Sequence, residues 1–259
     1  MAVATIYRTS VSSSITQTLI YDAIKSSLIS SGLIFVSEYT ASGTKHCVFS
    51  KTAGTGTYAT VYYRFYVTTA LAITHQLFTA WNIATNTGSN GSGDTHSTIF
   101  ASGSDIAIIA FNGGTEYSLV GVLQGSTFQL LGVLIPENSF DVWTLNRAPK
   151  ACINQTSTGS AWSLTAINIF SNTNLTADPV GNSLLSAFCT EFNTYAPEKG
   201  VKLRSNTGQG CWLWTSSNFA AVPGNSIPRL SIFQEPGTGK NFMMLGTGNG
   251  ALAIEVANA

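Results

Sequence analysis

The stretch "GSGDTHS" (Gly91–Ser97) holds Ser92, Asp94 and His96, the side-chain types of a nucleophile, an orienting acid and a base. A working triad draws those groups from separate rigid elements, because one short Gly/Ser-rich loop cannot hold three side chains in register. The stretch therefore reads as a polar tip. Glycoside hydrolysis would need two converging carboxylates, with Asp94, Asp105, Glu116, Glu137 and Asp141 as the candidates. Most of these adjoin Gly, Ser, Asn or Pro, where acids serve turns and caps, and no spacing pairs them. "EPGTGKN" (Glu235–Asn241) resembles a phosphate-binding loop, but the glycine five residues before Gly239 is missing. Asn241 also stands where a Ser or Thr would hold magnesium. "GTGNG" (Gly246–Gly250) lacks the dinucleotide spacing, and both stretches read as turns.

The three histidines, His46, His75 and His96, show no short ligand spacing, so no metal site is expected. Cys47, Cys152, Cys189 and Cys211 contain no CxxC pair and read as buried free thiols, which suits a reducing compartment. No cofactor motif is present. The most site-like aromatic pair is Trp212 and Trp214, two residues apart and so on one face of a strand. Such a pair can stack on a sugar or anchor a protein interface.

Charged residues make up 9% of the 259 residues and the formal net charge is zero. An ordinary soluble domain carries about 25%. Near-zero net charge favours association, so much of the surface is expected to be buried against neighbours. Nucleic acid is not an expected partner, because the 12 Lys and Arg residues are scattered. No run reaches the roughly 18 apolar residues of a membrane-spanning helix, so no membrane partner is expected. "MAVATIYRTSVSSS" has no charged region leading into an apolar one, so a cleaved secretory signal is not expected either.

The elements that would position these residues are mostly strands. "TQTLIYDAIKSSLISS" (Thr16–Ser31) predicts an amphipathic helix with Leu19, Ile20, Ala23, Ile24, Ser27 and Leu28 on one stripe. The Ser12–Ser14 cluster offers its N-cap and Gly32 its stop. Strands are predicted at Leu33–Tyr39, Lys45–Lys51, Tyr58–Thr69 and Thr74–Trp81. In the third of these Val61, Tyr63, Phe65 and Val67 share one face, and Tyr62, Arg64 and Tyr66 the other. "NGG" (Asn112–Gly114) predicts a hairpin between two apolar runs, and Thr127–Pro136 returns beside them. Residues 33–136 thus read as one antiparallel meander. A second amphipathic helix is predicted at Asn182–Tyr195, followed by more strands. The fold class is β-rich α+β, with antiparallel meander or sandwich-like sheets and two main amphipathic helices packed on them. Residues 1–145 would form a helix-plus-β domain and 146–259 a C-terminal β-rich domain with one helix.

The early amphipathic helix ending "SSGLIFVSEY", and the aromatic strand leading into "FTAWNIATNTGSNGS", resemble virion structural proteins of tailed bacteriophages, of the tail or baseplate type. The likeness covers about residues 15–135. It implies a non-enzymatic subunit present in several copies in the virion, assembled in the host cytoplasm, whose partners are copies of itself and other virion proteins. On that reading the Asn82–Asp105 tip is a contact loop, with Asn82, Asn86, Asn90, Asp94 and His96 as its contact residues. The alternative is a carbohydrate- or receptor-binding module that uses Trp212 and Trp214 on a host-surface glycan. An enzyme is the third class, and it would require two carboxylates converging in a cleft.

Overall fold

The computed structural model describes residues 3–12, 14–52, 59–89, 91, 100, 103–125, 127–135, the strands between 138 and 222 named below, and 228–257 without 236–237 and 246–250. Its first element is strand β1 (Thr5–Val11), followed by helix α1 (Gln17–Ser30). Then come β2 (Ile34–Ala41), β3 (Thr44–Thr52), β4 (Thr60–Val67) and β5 (Ile73–Phe78), an antiparallel four-stranded sheet in that order. Strands β6 (Ala80–Asn82) and β7 (Thr87–Ser89) form a small hairpin. The long apolar strands β8 (Ile106–Gly113), β9 (Tyr117–Gln124) and β10 (Thr127–Leu134) follow.

Short strands come next: β11 (Asn138–Ser139), β12 (Ala151–Asn154), β13 (Ser163–Ala166), β14 (Asn174–Ala177), β15 (Glu198–Lys199), β16 (Lys202–Ser205) and β17 (Trp212–Trp214). With β1 and β8–β10, all of these but β15 complete a ten-stranded sheet, which crosses the expected 145/146 boundary through β10 and β12. A five-stranded sheet joins β15 to β18 (Phe219–Val222), β19 (Ile232–Gln234), β20 (Asn241–Met244) and β21 (Ala251–Glu255). All of this pairing is antiparallel, so the β-rich class holds, with α1 the single helix among the described residues. The predicted helix at Asn182–Tyr195 lies outside the described residues.

Helix α1 is capped by Thr16, whose Oγ1 accepts from the Leu19 N–H at 3.3 Å, and not by the Ser12–Ser14 cluster. Gly32 ends it at φ +93°. The Gly32 N–H reaches the Ile29 carbonyl and the Leu33 N–H the Leu28 carbonyl, the double bond of a Schellman stop. Asn112 Nδ2 donates to the freed Ser30 carbonyl at 3.4 Å and so docks the helix end on β8. The buried stripe is Ile20, Tyr21, Ile24, Ser27 and Leu28. Leu19, expected on that stripe, is 48% exposed, and Tyr21 turns inward in its place.

The expected single meander is divided between two layers. The inner face of β3–β5 (Cys47, Phe49, Tyr63, Phe65, Ile73, Leu77) packs with α1 against Ile106, Ile108, Ala110, Val120, Val122, Leu131 and Val133 of β8–β10. The other face of β8–β10 (Ile109, Phe111, Leu119, Phe128, Leu130) packs on Met243 of β20 and Ile254 of β21. Strands covered on both faces must be apolar throughout, which explains why "IAIIAF" and "FQLLGVL" show no alternation. Strand β1, which the sequence reading did not assign, pairs with all but the last residue of β8 from Thr5↔Asn112 to Val11↔Ile106. It is nearly wholly exposed, so it lacks an apolar pattern that would announce it.

Candidate functional site

Half-buried functional side chains gather on the outer face of the four-stranded sheet. Strand β4 alternates as expected: Val61, Tyr63, Phe65 and Val67 are buried, and Tyr62, Arg64 and Tyr66 point outward. Register then fixes their neighbours. Tyr39 of β2 lies opposite His46 of β3, and His46 lies opposite Tyr66 of β4. In the next row, Val48, Arg64 and Gln76 stand side by side across β3, β4 and β5.

The Tyr39 and His46 rings stack in parallel at 4.5 Å, and His46 meets Tyr66 at 4.9 Å. The Arg64 guanidinium lies over the rings of Tyr66 (5.5 Å), Phe78 (5.3 Å) and Trp81 (6.0 Å). It donates through Nη1 to Tyr39 Oη at 3.4 Å and through Nη2 to Gln76 Oε1. A delocalised cation suits these ring faces better than a compact ammonium would. Burial, with the Arg64 charge beside it, pushes the His46 pKa down to about 4, so the imidazole is neutral at pH 7.

The β6–β7 hairpin covers one end of this row. Trp81 packs edge-on against Phe78 at 5.2 Å and stacks loosely on Tyr39 at 6.4 Å. Gly88 and Gly91 lie on the Phe78 ring, where an added Cβ would stand 2.1 Å and 2.7 Å from ring carbons. The segment expected to project as a structureless tip therefore begins as an ordered hairpin. Asn82 Oδ1 accepts from the Ala84 N–H at 3.0 Å, and Asn86 takes the left-handed conformation at φ +53°. Both asparagines build the turn, a role their side chains suit. Asn90, Asp94 and His96 lie outside the described residues, as does Ser92. Trp212 and Trp214 fall in β17, which pairs with β16 and β11.

Two buried polar pairs sit deeper. Lys51, 3% exposed at the end of β3, donates from Nζ to the Gly114 carbonyl at 2.6 Å and to Ser118 Oγ at 2.9 Å. Burial pushes its pKa down to about 8. A lysine beside a serine can act as base to a nucleophile, but Ser118 is fully enclosed. The pair ties the four-stranded sheet to the β8–β9 hairpin. His75 is completely buried, with Nδ1 3.0 Å from Tyr63 Oη; burial lowers its pKa to about 3. Cys47 is a buried free thiol, as expected, raised to about 12 by burial.

The carboxylate candidates within the described residues do not converge. Asp105 precedes β8 and Glu116 follows it, so eight strand residues, roughly 26 Å, separate them. A glycosidase pair stands about 5–10 Å apart. Of "EPGTGKN", Glu235 follows β19 and Asn241 opens β20, and its lysine, Lys240, pairs with Glu255 at 2.9 Å. Among the described residues no group of His, Cys, Asp and Glu could hold a metal ion, and no helix is long and apolar enough to cross a membrane.

Stacking surfaces, a fixed cation, phenol hydroxyls and a neutral imidazole together offer recognition or cohesion. Sequence reading placed Tyr62, Arg64 and Tyr66 on one face of a strand, but Tyr39, His46, Gln76, Phe78 and Trp81 join them only through register and a folded-back hairpin. No protein-family model, curated protein or solved structure matches the chain.

Proposed function

We propose that this chain is a non-enzymatic structural subunit of a tailed-phage virion, of its tail or baseplate, which works by burying surface against copies of itself and other virion proteins. The observation that carries this reading is a pair of open sheet edges on a molecule with little charge. Strands β1 and β2 are edge strands, most of their residues are exposed, and they carry Tyr7, Ile34 and Phe35 at 46%, 63% and 42% exposure. Open edges with exposed apolar side chains are templates for pairing with another chain. The likeness of residues 15–135 to phage virion proteins points the same way. The test is the solution mass of the purified chain over a concentration series: assembly supports the reading, and a single chain at millimolar concentration refutes it.

One observation favours a second reading, a carbohydrate- or receptor-binding module. The half-buried row of Tyr39, His46 and Tyr66, with Arg64 and Trp81, supplies the ring faces and hydrogen-bonding groups that a sugar needs. Binding to a glycan panel that is lost in Trp81→Ala supports it; absence of binding to any glycan rejects it.

A further inference from the structure

We infer that the free edge of β2 pairs with the same strand of a second copy, antiparallel about a two-fold axis, joining two four-stranded sheets into one of eight strands. The inference rests on the assembly reading above and names its surface and partner.

Strand β2 is eight residues long, ends its sheet with no further strand beside it among the described residues, and exposes five of its eight residues. Three of the six exposed large hydrophobics among the described residues, Ile29, Ile34 and Phe35, lie at the corner where α1 runs into it. Natural edges are usually blunted by Lys, Pro or a covering segment. The stretch "IFVSEYTA" has neither Lys nor Pro. What guards it is the charge of Glu38, already engaged within the chain, and a bulge at Val36, which leaves Ser37–Ala41 as a regular ladder. The edge of β1 is more guarded: it carries Arg8, and Ala4, just before it, already pairs with Val256.

Charge selects the occupant. Glu38 is the only charged residue of β2. Its Oε2 accepts from Lys25 Nζ at 2.8 Å and from Tyr21 Oη at 2.9 Å, both of the same chain. Donation from Lys25, then from Tyr21, holds the Glu38 carboxyl below the usual range, so it stays an ion. A partner recognised by charge would therefore find that charge already met. Two copies of this edge meet without like charges opposed in every register except the one whose axis passes through Glu38 itself. A two-fold pairing also closes after two chains, the commonest symmetry of soluble oligomers.

The test uses the full chain and sedimentation equilibrium. Ile34→Lys with Thr40→Lys places two ammonium groups on exposed positions of β2, and Tyr7→Lys is the control on β1; circular dichroism and melting temperature confirm that each variant is folded. The expected result is a wild-type dimer of the 27.3 kDa chain, weakened at least tenfold by the β2 double variant and unchanged by Tyr7→Lys. Wild-type assembly that survives the β2 double variant, or that Tyr7→Lys abolishes, overturns the β2 pairing and leaves the subunit reading standing. A wild type that stays a single chain at millimolar concentration overturns both.

Discussion

Replacing Lys51 by methionine separates the cost of burying its charge from the value of its hydrogen bonds. Lys51 is 3% exposed and its pKa falls from 10.5 in the unfolded chain to about 8 in the fold. Below pH 8 both states hold the proton, and the fold bears the full cost of burying the ammonium. Between pH 8 and 10.5 the unfolded chain holds more protons than the native one, so stability rises with pH across that window. Above 10.5 both states are neutral and the cost is gone. The gain is 2.5 pH units at about 1.4 kcal/mol each, on the order of 3 kcal/mol. Methionine fills a similar volume and never titrates, but it leaves the Gly114 carbonyl and Ser118 Oγ without their donor, which costs about 1–3 kcal/mol. At pH 7 the two effects oppose, and the variant stays within about 2 kcal/mol of wild type. Urea unfolding of both proteins from pH 7 to 10.5 measures the wild-type-minus-variant difference, in which the tyrosines and other lysines cancel. That difference should move by about 3 kcal/mol in favour of wild type as pH rises. A flat difference would show that Lys51 keeps an ordinary pKa and that its burial carries no electrostatic cost.

Three further outcomes follow from other positions. Gly132→Ala should destabilise by at least about 3 kcal/mol in thermal unfolding, since its φ is +127° and a Cβ would lie 2.1 Å from the Ser118 carbonyl oxygen, a backbone atom that cannot rotate away. Gly88→Ala should lift the β6–β7 hairpin off Phe78, so that protease cleaves within residues 80–89 sooner than in wild type while the melting temperature of the main sheets changes little. His75 stays neutral in the fold down to about pH 3 while the unfolded chain binds its proton near 6.5, so its contribution is full above pH 6.5 and is lost as pH falls from there toward 3. His75→Gln, which keeps a polar partner for Tyr63 and cannot titrate, should recover on the order of 4–5 kcal/mol of relative stability across that range in acid unfolding.

The local signals in the first half of the chain were legible because each is set by neighbours in sequence. Alternation marked the two faces of β4 and Gly32 the end of α1; "NGG" announced the β8–β9 hairpin, although Asn112 and Gly113 are still paired in β8 and the turn itself is Gly114–Glu116. The layer to which a strand belongs is not a local property. Nothing in "DIAIIAFN" says whether it extends the sheet of β5 or starts another; its unbroken apolar run does say that both of its faces are covered. Strand β1 escaped for the converse reason, since a mostly exposed edge strand has no buried face to impose a pattern. The cap moved from the Ser cluster to Thr16 because a cap is decided by where the chain turns into the helix, and several nearby hydroxyls could serve.

The outer-face cluster shows the same limit at a site. Tyr62, Arg64 and Tyr66 were assigned to one face from alternation alone. Their chemistry depends on who stands beside them, and that is a matter of register: a shift of one residue between β3 and β4 would place Cys47 beside Tyr66 and turn His46 away. Trp81 reaches the cluster from the β6–β7 hairpin, which packs on Phe78 where Gly88 and Gly91 leave room for the ring. Any side chain at position 88 would occupy the volume of the Phe78 ring. The glycines of "TGSNGSG" look like the mark of a loose polar tip, yet at Gly88 and Gly91 the missing side chain allows close packing. The composition that suggested a projecting loop is, at its base, what lets the hairpin lie flat on the sheet and bring Trp81 to Arg64.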